Sequence, residues 1–150
     1  MRPDSQTHAA RHQALVLAVC VVAAAAGVAG FVQRPAEESD LKIPVGELRS
    51  QSAELRMLDR DRATGLSGTF VQAHAGQLAQ TIDRSRDELS SLKTEPRLDE
   101  AKGEALRRSA PLVLAAAVLK DGRAPLGETT NAQLAEAGAA LQALEERLRR

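Results

Sequence analysis

The 150-residue chain carries 20 basic and 20 acidic side chains and is formally neutral at pH 7. A neutral chain without a basic face offers little attraction to phosphate backbones, so nucleic acid is excluded as an expected partner. A single cysteine excludes an intrachain disulfide framework, and only two aromatic residues are present. Any core must therefore be built from aliphatic side chains, which favours helices.

Residues 14–32 form the most apolar stretch and contain no charged side chain. The hydrocarbon core of a bilayer is roughly 30 Å thick, which a helix of about 20 residues can span. The stretch predicts one transmembrane anchor, with the lipid bilayer as its partner, after a short cytoplasmic tail at 1–13. Arg2 and Arg11 precede the span, and a long C-terminal domain follows it. This layout favours a bacterial inner-membrane protein whose N-terminus is cytoplasmic and whose C-terminal domain is periplasmic.

Other interpretations of this stretch stay open. Small residues at 28–30 would also suit a signal-peptide cleavage site, which would release a soluble periplasmic helical protein. A loose lipoprotein-like pattern ends at Cys20. Four small residues lie on one stripe of the predicted anchor, where they would let two helix backbones approach closely in a homodimer. They are Ala23, Ala26, Gly27 and Gly30.

The rest of the chain predicts an all-α, antiparallel bundle of three to four helices. Residues 33–44 are expected to form a linker ending at Pro44, which suits a first helical turn, and 45–150 the exported helical domain. Glycines at 65 and 68 predict a turn, and the heptad-like stripe after them predicts the clearest helix. That stripe comprises Val71, Ala75, Leu78, Ile82, Ser85, Leu89 and Leu92.

The second half of the domain shows the same helical periodicity. A third helix is expected from about Leu98, with a fresh start at Ser109 before Pro111 and a stop at Asp121 and Gly122. A capping box at Thr130 and Gln133 predicts the start of the last helix. Its stripe comprises Leu134, Ala137, Leu141, Leu144 and Leu148. Both heptad stripes suit either packing within one domain or a coiled coil between chains, and their shortness favours the former.

Residues 110–119 contain no polar side chain but are too few to span a bilayer. A helix that is apolar all round must be covered all round. The segment is therefore expected to occupy the centre of the bundle, with a partner-facing surface as the alternative. Its large residues are Leu112, Val113, Leu114, Val118 and Leu119.

No set of residues indicates catalysis. His8 and His12 have the spacing of a partial metal site but lack further ligands nearby, and His74 has no carboxylate three or four positions away to orient it. Gly65 and Gly68 lack the lysine of a phosphate loop. We therefore expect no metal, no cofactor and no enzymatic activity.

The sequence instead predicts a membrane-anchored, non-enzymatic interaction or scaffold module that binds another envelope protein. A small-molecule sensor is the alternative. The layout resembles the exported four-helix sensing domains of bacterial chemoreceptors, but it lacks their second span and signalling region, so no family is assigned.

Overall fold

The computed structural model describes residues 34–122 and 124–149. This part of the chain is all-helical, as predicted, and its only β-type pairing is a single bridge between Ala36 and Thr94. The helices are α1 (Glu38–Ala63), α2 (Gly68–Ser91), α3 (Pro96–Arg108), α4 (Ala110–Asp121) and α5 (Glu128–Arg147).

The predicted anchor at 14–32 lies outside the described residues, as do its small-residue stripe, Cys20, His8 and His12. Among the helices that are described, none is both long enough and apolar enough to cross a membrane.

Helices α1, α2, α4 and α5 surround one core in up-down-up-down order. Helix α1 packs against α2 and α5, and α4 packs against the same two helices from the opposite side. Cross-helix contacts place Gly46 beside Glu145 and Ser52 beside Gly138, so α1 and α5 run antiparallel. Helix α3 leads into α4 through the single residue Ser109 and packs mainly on α5 and α2. Short loops between antiparallel neighbours are the usual connection in such bundles.

The core is aliphatic. Both predicted heptad stripes face inward: every member is buried except Leu92, which is partly buried. Phe70, the one aromatic residue in the described ranges, is 54% exposed and contributes nothing to the interior. The largest fully buried side chains include Leu41, Leu48, Leu55, Ile82, Leu89, Leu112, Leu119, Leu134, Leu141 and Leu144.

Helix α1 begins at Glu38, inside the stretch 33–44 that the sequence analysis assigned to a linker. The carboxylate of Asp40 accepts a hydrogen bond from the backbone N–H of Glu37 at 2.8 Å and closes the first turn. Pro44 therefore lies within the helix, where it cannot donate to the carbonyl of Asp40. Burial of Leu41 and Pro44 against the core offsets that loss.

Helix α5 begins at Glu128, two residues before the predicted cap at Thr130, and Gly127 occupies the N-cap position. The entry to this helix is held by Asp59 of α1 instead of by a local capping box. One Asp59 oxygen accepts the backbone N–H of Leu126 at 2.8 Å, and the other accepts the side-chain N–H of Asn131 at 3.0 Å.

The other predicted boundaries are confirmed. Ser109 ends α3 and begins α4, and its hydroxyl donates to the carbonyl of Leu106 at 2.8 Å. Gly122 ends α4 with a φ of 71°, in the left-handed region that favours glycine. The Arg62 guanidinium donates to the carbonyls of Gly122 and Ala124 at 2.8 and 2.6 Å, which ties the α4–α5 loop to the end of α1.

Candidate functional site

The predicted apolar segment 110–119 divides between the core and the surface. Leu112 and Leu119 are fully buried, and Val118 is partly buried. Val113 and Leu114 are 38% and 52% exposed. The expectation that the whole segment fills the bundle centre is therefore wrong for one side of α4. Among the described residues, α4 packs on α1, α2 and α5 and meets α3 at its start, and its remaining side is exposed.

The exposed residues form a continuous apolar surface, which we call the α4 strip: Ala110, Val113, Leu114 and Ala117. Their spacing of three, one and three residues keeps them on one side of a helix. An exposed strip of large and small apolar side chains on an otherwise charged bundle is typical of a protein-binding surface.

A groove of about 340 Å³ borders the strip between α4 and α5. Pro111 and Leu114 supply apolar lining, while Arg108 crosses the groove to reach Glu136, its guanidinium 3.1 Å from the carboxylate. Arg107 also lines the groove, and it forms no hydrogen bond or ion pair with any residue in the described ranges. The rim therefore carries an available positive charge beside apolar surface.

A second groove, of about 560 Å³, lies between α1 and α2 and is lined mainly by polar side chains. The Ser85 hydroxyl lies 2.8 Å from Glu47 Oε2 and accepts a hydrogen bond from Gln51 Nε2 at 3.3 Å. Gln51 is buried, and its side-chain oxygen has no hydrogen-bond partner in the described part of the protein. A buried amide oxygen without a partner is destabilising, so Gln51 leaves an unpaired acceptor beside the groove that its side chain lines.

His74 lies on the rim of this α1–α2 groove and has a carboxylate neighbour that the sequence analysis did not find. Its Nε2 is 3.9 Å from Glu54 Oε2 on α1, and its ring stacks on Phe70 with centroids 5.9 Å apart. A separation of 3.9 Å exceeds hydrogen-bond distance, and the two side chains are 38% and 50% exposed. The pair is a weak surface contact that does not orient the imidazole for proton transfer.

Glu145 is a buried carboxylate between α1 and α5. Arg149, four residues further along the chain, donates a hydrogen bond to one carboxylate oxygen at 2.5 Å. The structure adds Arg49 of α1, whose Nε lies 3.4 Å from the second carboxylate oxygen. The hydrogen bond from Arg149 holds the pKa of Glu145 below its usual value; burial opposes this shift, and the charge on Arg49 reinforces it.

These contacts make Glu145 a link between helices. One carboxylate oxygen accepts the Arg149 hydrogen bond, and the other forms only the ion pair with Arg49 and accepts no hydrogen bond from the described residues.

Metal binding has no support in the residues described: across 34–122 and 124–149, no three His, Cys, Asp or Glu side chains are grouped so as to hold an ion.

No protein-family model, curated protein or solved structure matches this chain.

Proposed function

We propose that this protein is a non-enzymatic interaction module of the bacterial envelope, held at the inner membrane by residues 14–32. Its helical domain presents the α4 strip to a protein partner on the periplasmic side. The observation that carries this proposal is the exposure of Val113 and Leu114 on a helix whose other side is fully buried.

Energetics support a docking role for this surface. Fully burying a Val or Leu side chain stabilises by about 1.5 to 3 kcal/mol, so covering the exposed portions of these two residues would contribute roughly 2 kcal/mol. The flanking alanines add apolar area without bulk, which lets a partner helix approach the α4 backbone. Arginine at the rim suits such a surface, because arginine is enriched at protein interfaces.

The tethering part of the proposal rests on the amino-acid sequence. An uncharged stretch of nineteen residues is favourable in hydrocarbon and has the length of a membrane span. A bilayer tether would hold the domain close to other envelope proteins and raise their effective concentration near the α4 strip.

Photo-crosslinking in native membranes tests whether a protein partner binds at the α4 strip. A photoreactive amino acid is placed at Leu114 of the full chain, and the matched control carries it at Met57 of α1, which is 59% exposed on a helix diagonal to α4. We expect a discrete protein adduct from position 114 and none from position 57. Absence of an adduct at 114, or the same diffuse products from both positions, would contradict the proposal.

A second candidate function, small-molecule sensing, is favoured by the buried oxygen of Gln51 beside the α1–α2 groove. The groove also contains carboxylates at Glu47 and Glu54 and guanidinium groups at Arg49 and Arg84, a mixture suited to a zwitterion. Free amino acids added to the purified full chain in detergent should then raise its melting temperature, and Gln51→Leu should remove the rise. An unchanged melting temperature across the twenty amino acids would reject this candidate.

A further inference from the structure

The α4 strip has an internal symmetry that a general protein-binding surface does not require. Its four residues are arranged as Ala, Val-Leu, Ala at positions 110, 113–114 and 117, which is symmetric about the midpoint between Val113 and Leu114. Large side chains occupy the centre and small ones the two ends. A strip with this pattern is complementary to a second copy of itself when the two helices run in opposite directions.

We propose that two copies of this chain pair through their α4 strips, antiparallel, about a two-fold axis that passes between Val113 and Leu114. The inference deepens the proposed function by naming the partner of the same surface, and it rests on that function. In this arrangement Ala110 of one copy lies beside Ala117 of the other, and the central residues interdigitate at the axis.

The charges at the two ends of the strip support the antiparallel direction. Arg107 and Asp121 are fourteen residues apart, a separation of roughly 21 Å along a helix, so they cannot pair within one chain. Arg107 lies on the other side of the Ser109 break, and it lines the same groove as Ala110 and Leu114 of the strip. Antiparallel pairing brings Arg107 of each copy toward Asp121 of the other.

Arg107 is well suited to that contact. It is exposed and has no hydrogen bond or ion pair to any residue in 34–122 or 124–149. At about 100° per residue, Arg107, Leu114 and Asp121 lie on one flank of the strip, and Lys120 lies on the flank of Val113. Equivalent flanks face each other in an antiparallel two-fold pair. A parallel pair would instead bring like charges together at both ends.

The strip is only about two turns long, so its buried area falls below that of standard stable interfaces. Pairing of free molecules in solution would be weak. Confinement of both copies to one membrane raises their effective concentration, which favours association without any new contact. The test therefore uses the full chain in native membranes.

Disulfide cross-linking measures both contact and direction. In a Cys20→Ala background, which removes the only native thiol, Leu114→Cys should form covalent dimers under mild oxidation. Ala110→Cys and Ala117→Cys should cross-link when co-expressed with different tags, and neither should cross-link to itself. Like positions at 110 would be offset by roughly 10 Å along the axis, beyond the Cα separation of about 7 Å that a disulfide tolerates. Met57→Cys, on α1, is the matched control.

Charge exchange tests the ends of the strip independently. Arg107→Glu should lower the yield of the Leu114→Cys dimer about threefold, because both symmetry-related ion pairs become repulsive. Adding Asp121→Arg should restore the yield. Arg107 in α3 and Asp121 at the end of α4 are too far apart to pair within one chain, so restoration indicates a contact between molecules.

The outcomes separate the two proposals. Cross-linking of Leu114→Cys no stronger than that of Met57→Cys overturns self-pairing, and strong self-cross-linking at 110 and 117 overturns the antiparallel direction. If the photo-crosslinked adduct at position 114 contains a different protein and the cysteine dimers are absent, the interaction module stands and the second copy is rejected. If neither experiment gives a product, both proposals fail.

Discussion

At the scale of single residues, Glu145 shows how this bundle accommodates a buried charge. Its side chain is 8% exposed, and Arg49 and Arg149 reach it from two helices while keeping much of their own surface in water. A buried carboxylate without such partners would be strongly destabilising. The α1 backbone passes close to the carboxylate at Gly46, where an added Cβ would make ordinary van der Waals contact with the carboxylate carbon at 3.7 Å. The four residues together fix the register of α1 against α5.

Glu145→Gln should lower the free energy of unfolding by about 1.5 to 3 kcal/mol at pH 7, because the charge-assisted hydrogen bond from Arg149 and the ion pair with Arg49 are lost while the shape is kept. Urea unfolding of the full chain in detergent, followed by circular dichroism, measures the change. Glu136→Gln is the control, since Glu136 is also paired with arginine but is mostly exposed. That substitution should change stability by less than about 0.5 kcal/mol.

The effect of Glu145 should also depend on pH. Its pKa is lowered in the folded protein, so its contribution is fully present above the unfolded pKa of about 4.3 and is lost as pH falls through the folded value. The difference in stability between the native chain and Glu145→Gln should therefore shrink below about pH 4. A difference that stays constant from pH 6 to pH 3 would show that the carboxylate charge is not the stabilising feature.

At the scale of elements, α1 and α5 pack closely at Gly138. A Cβ added there would lie 2.8 Å from the Ser52 hydroxyl oxygen but 3.6 Å from the Ser52 Cβ. The hydroxyl is held in place because it donates a hydrogen bond to the Leu134 carbonyl at 3.0 Å. Close packing of these two helices thus depends on the absence of a side-chain methyl group at Gly138, opposite the Ser52 hydroxyl.

Gly138→Ala should destabilise the bundle by about 1 to 2 kcal/mol, since overpacking outweighs the gain in helix propensity. In a Ser52→Ala background the same substitution should be neutral or stabilising, because the clashing oxygen is gone. Thermal and urea unfolding of the two single variants and the double variant form the mutant cycle that measures this coupling.

Gly76→Ala in the middle of α2 is the matched control, because nothing lies within 4 Å of the added Cβ. It should stabilise by about 0.5 to 1 kcal/mol. Equal effects of Gly138→Ala with and without Ser52 would refute the steric explanation.

Comparison of the elements with the sequence shows which features are locally encoded. The inward stripes of α2 and α5 and the break at Ser109 could be predicted, because periodicity, glycine and proline act within a few residues. The start of α5 could not be predicted in this way. Asp59, which accepts the hydrogen bond that fixes this start, lies nearly seventy positions earlier in the chain. Likewise, no local pattern in 110–119 distinguishes its covered side from its exposed side. That division depends on which neighbours α4 meets in the bundle.

At the scale of the whole molecule, the candidate surfaces differ in how far the local sequence could predict them. The α4 segment was singled out by its composition, whereas the partners of His74, Gln51 and Glu145 come from other helices and leave no local signal. Composition also indicated an aliphatic core, which the structure shows in the described residues. Membrane attachment and export remain predictions based on residues 14–32.

Alkaline phosphatase fused after the last residue of the chain should be active in a bacterial host, because the predicted topology exports the C-terminal domain. Deletion of 14–32 from the same fusion should abolish activity and move the protein out of the membrane fraction. An inactive enzyme fusion beside a fluorescent cytoplasmic reporter would reverse the topology. The result requires no knowledge of the partner.

The arrangement of the helix ends has one consequence for protein engineering. Glu38 near the start of α1 and Leu148 just after α5 line the same small groove, so both ends of the described chain leave the bundle side by side. The turn at 64–67 lies at the far end of α1, roughly 39 Å away. A circular permutant that joins the start of α1 to the end of α5 with a few glycines, and opens at this turn, should retain the helical bundle. The packing of the helices should therefore not depend on the order in which they follow one another along the chain.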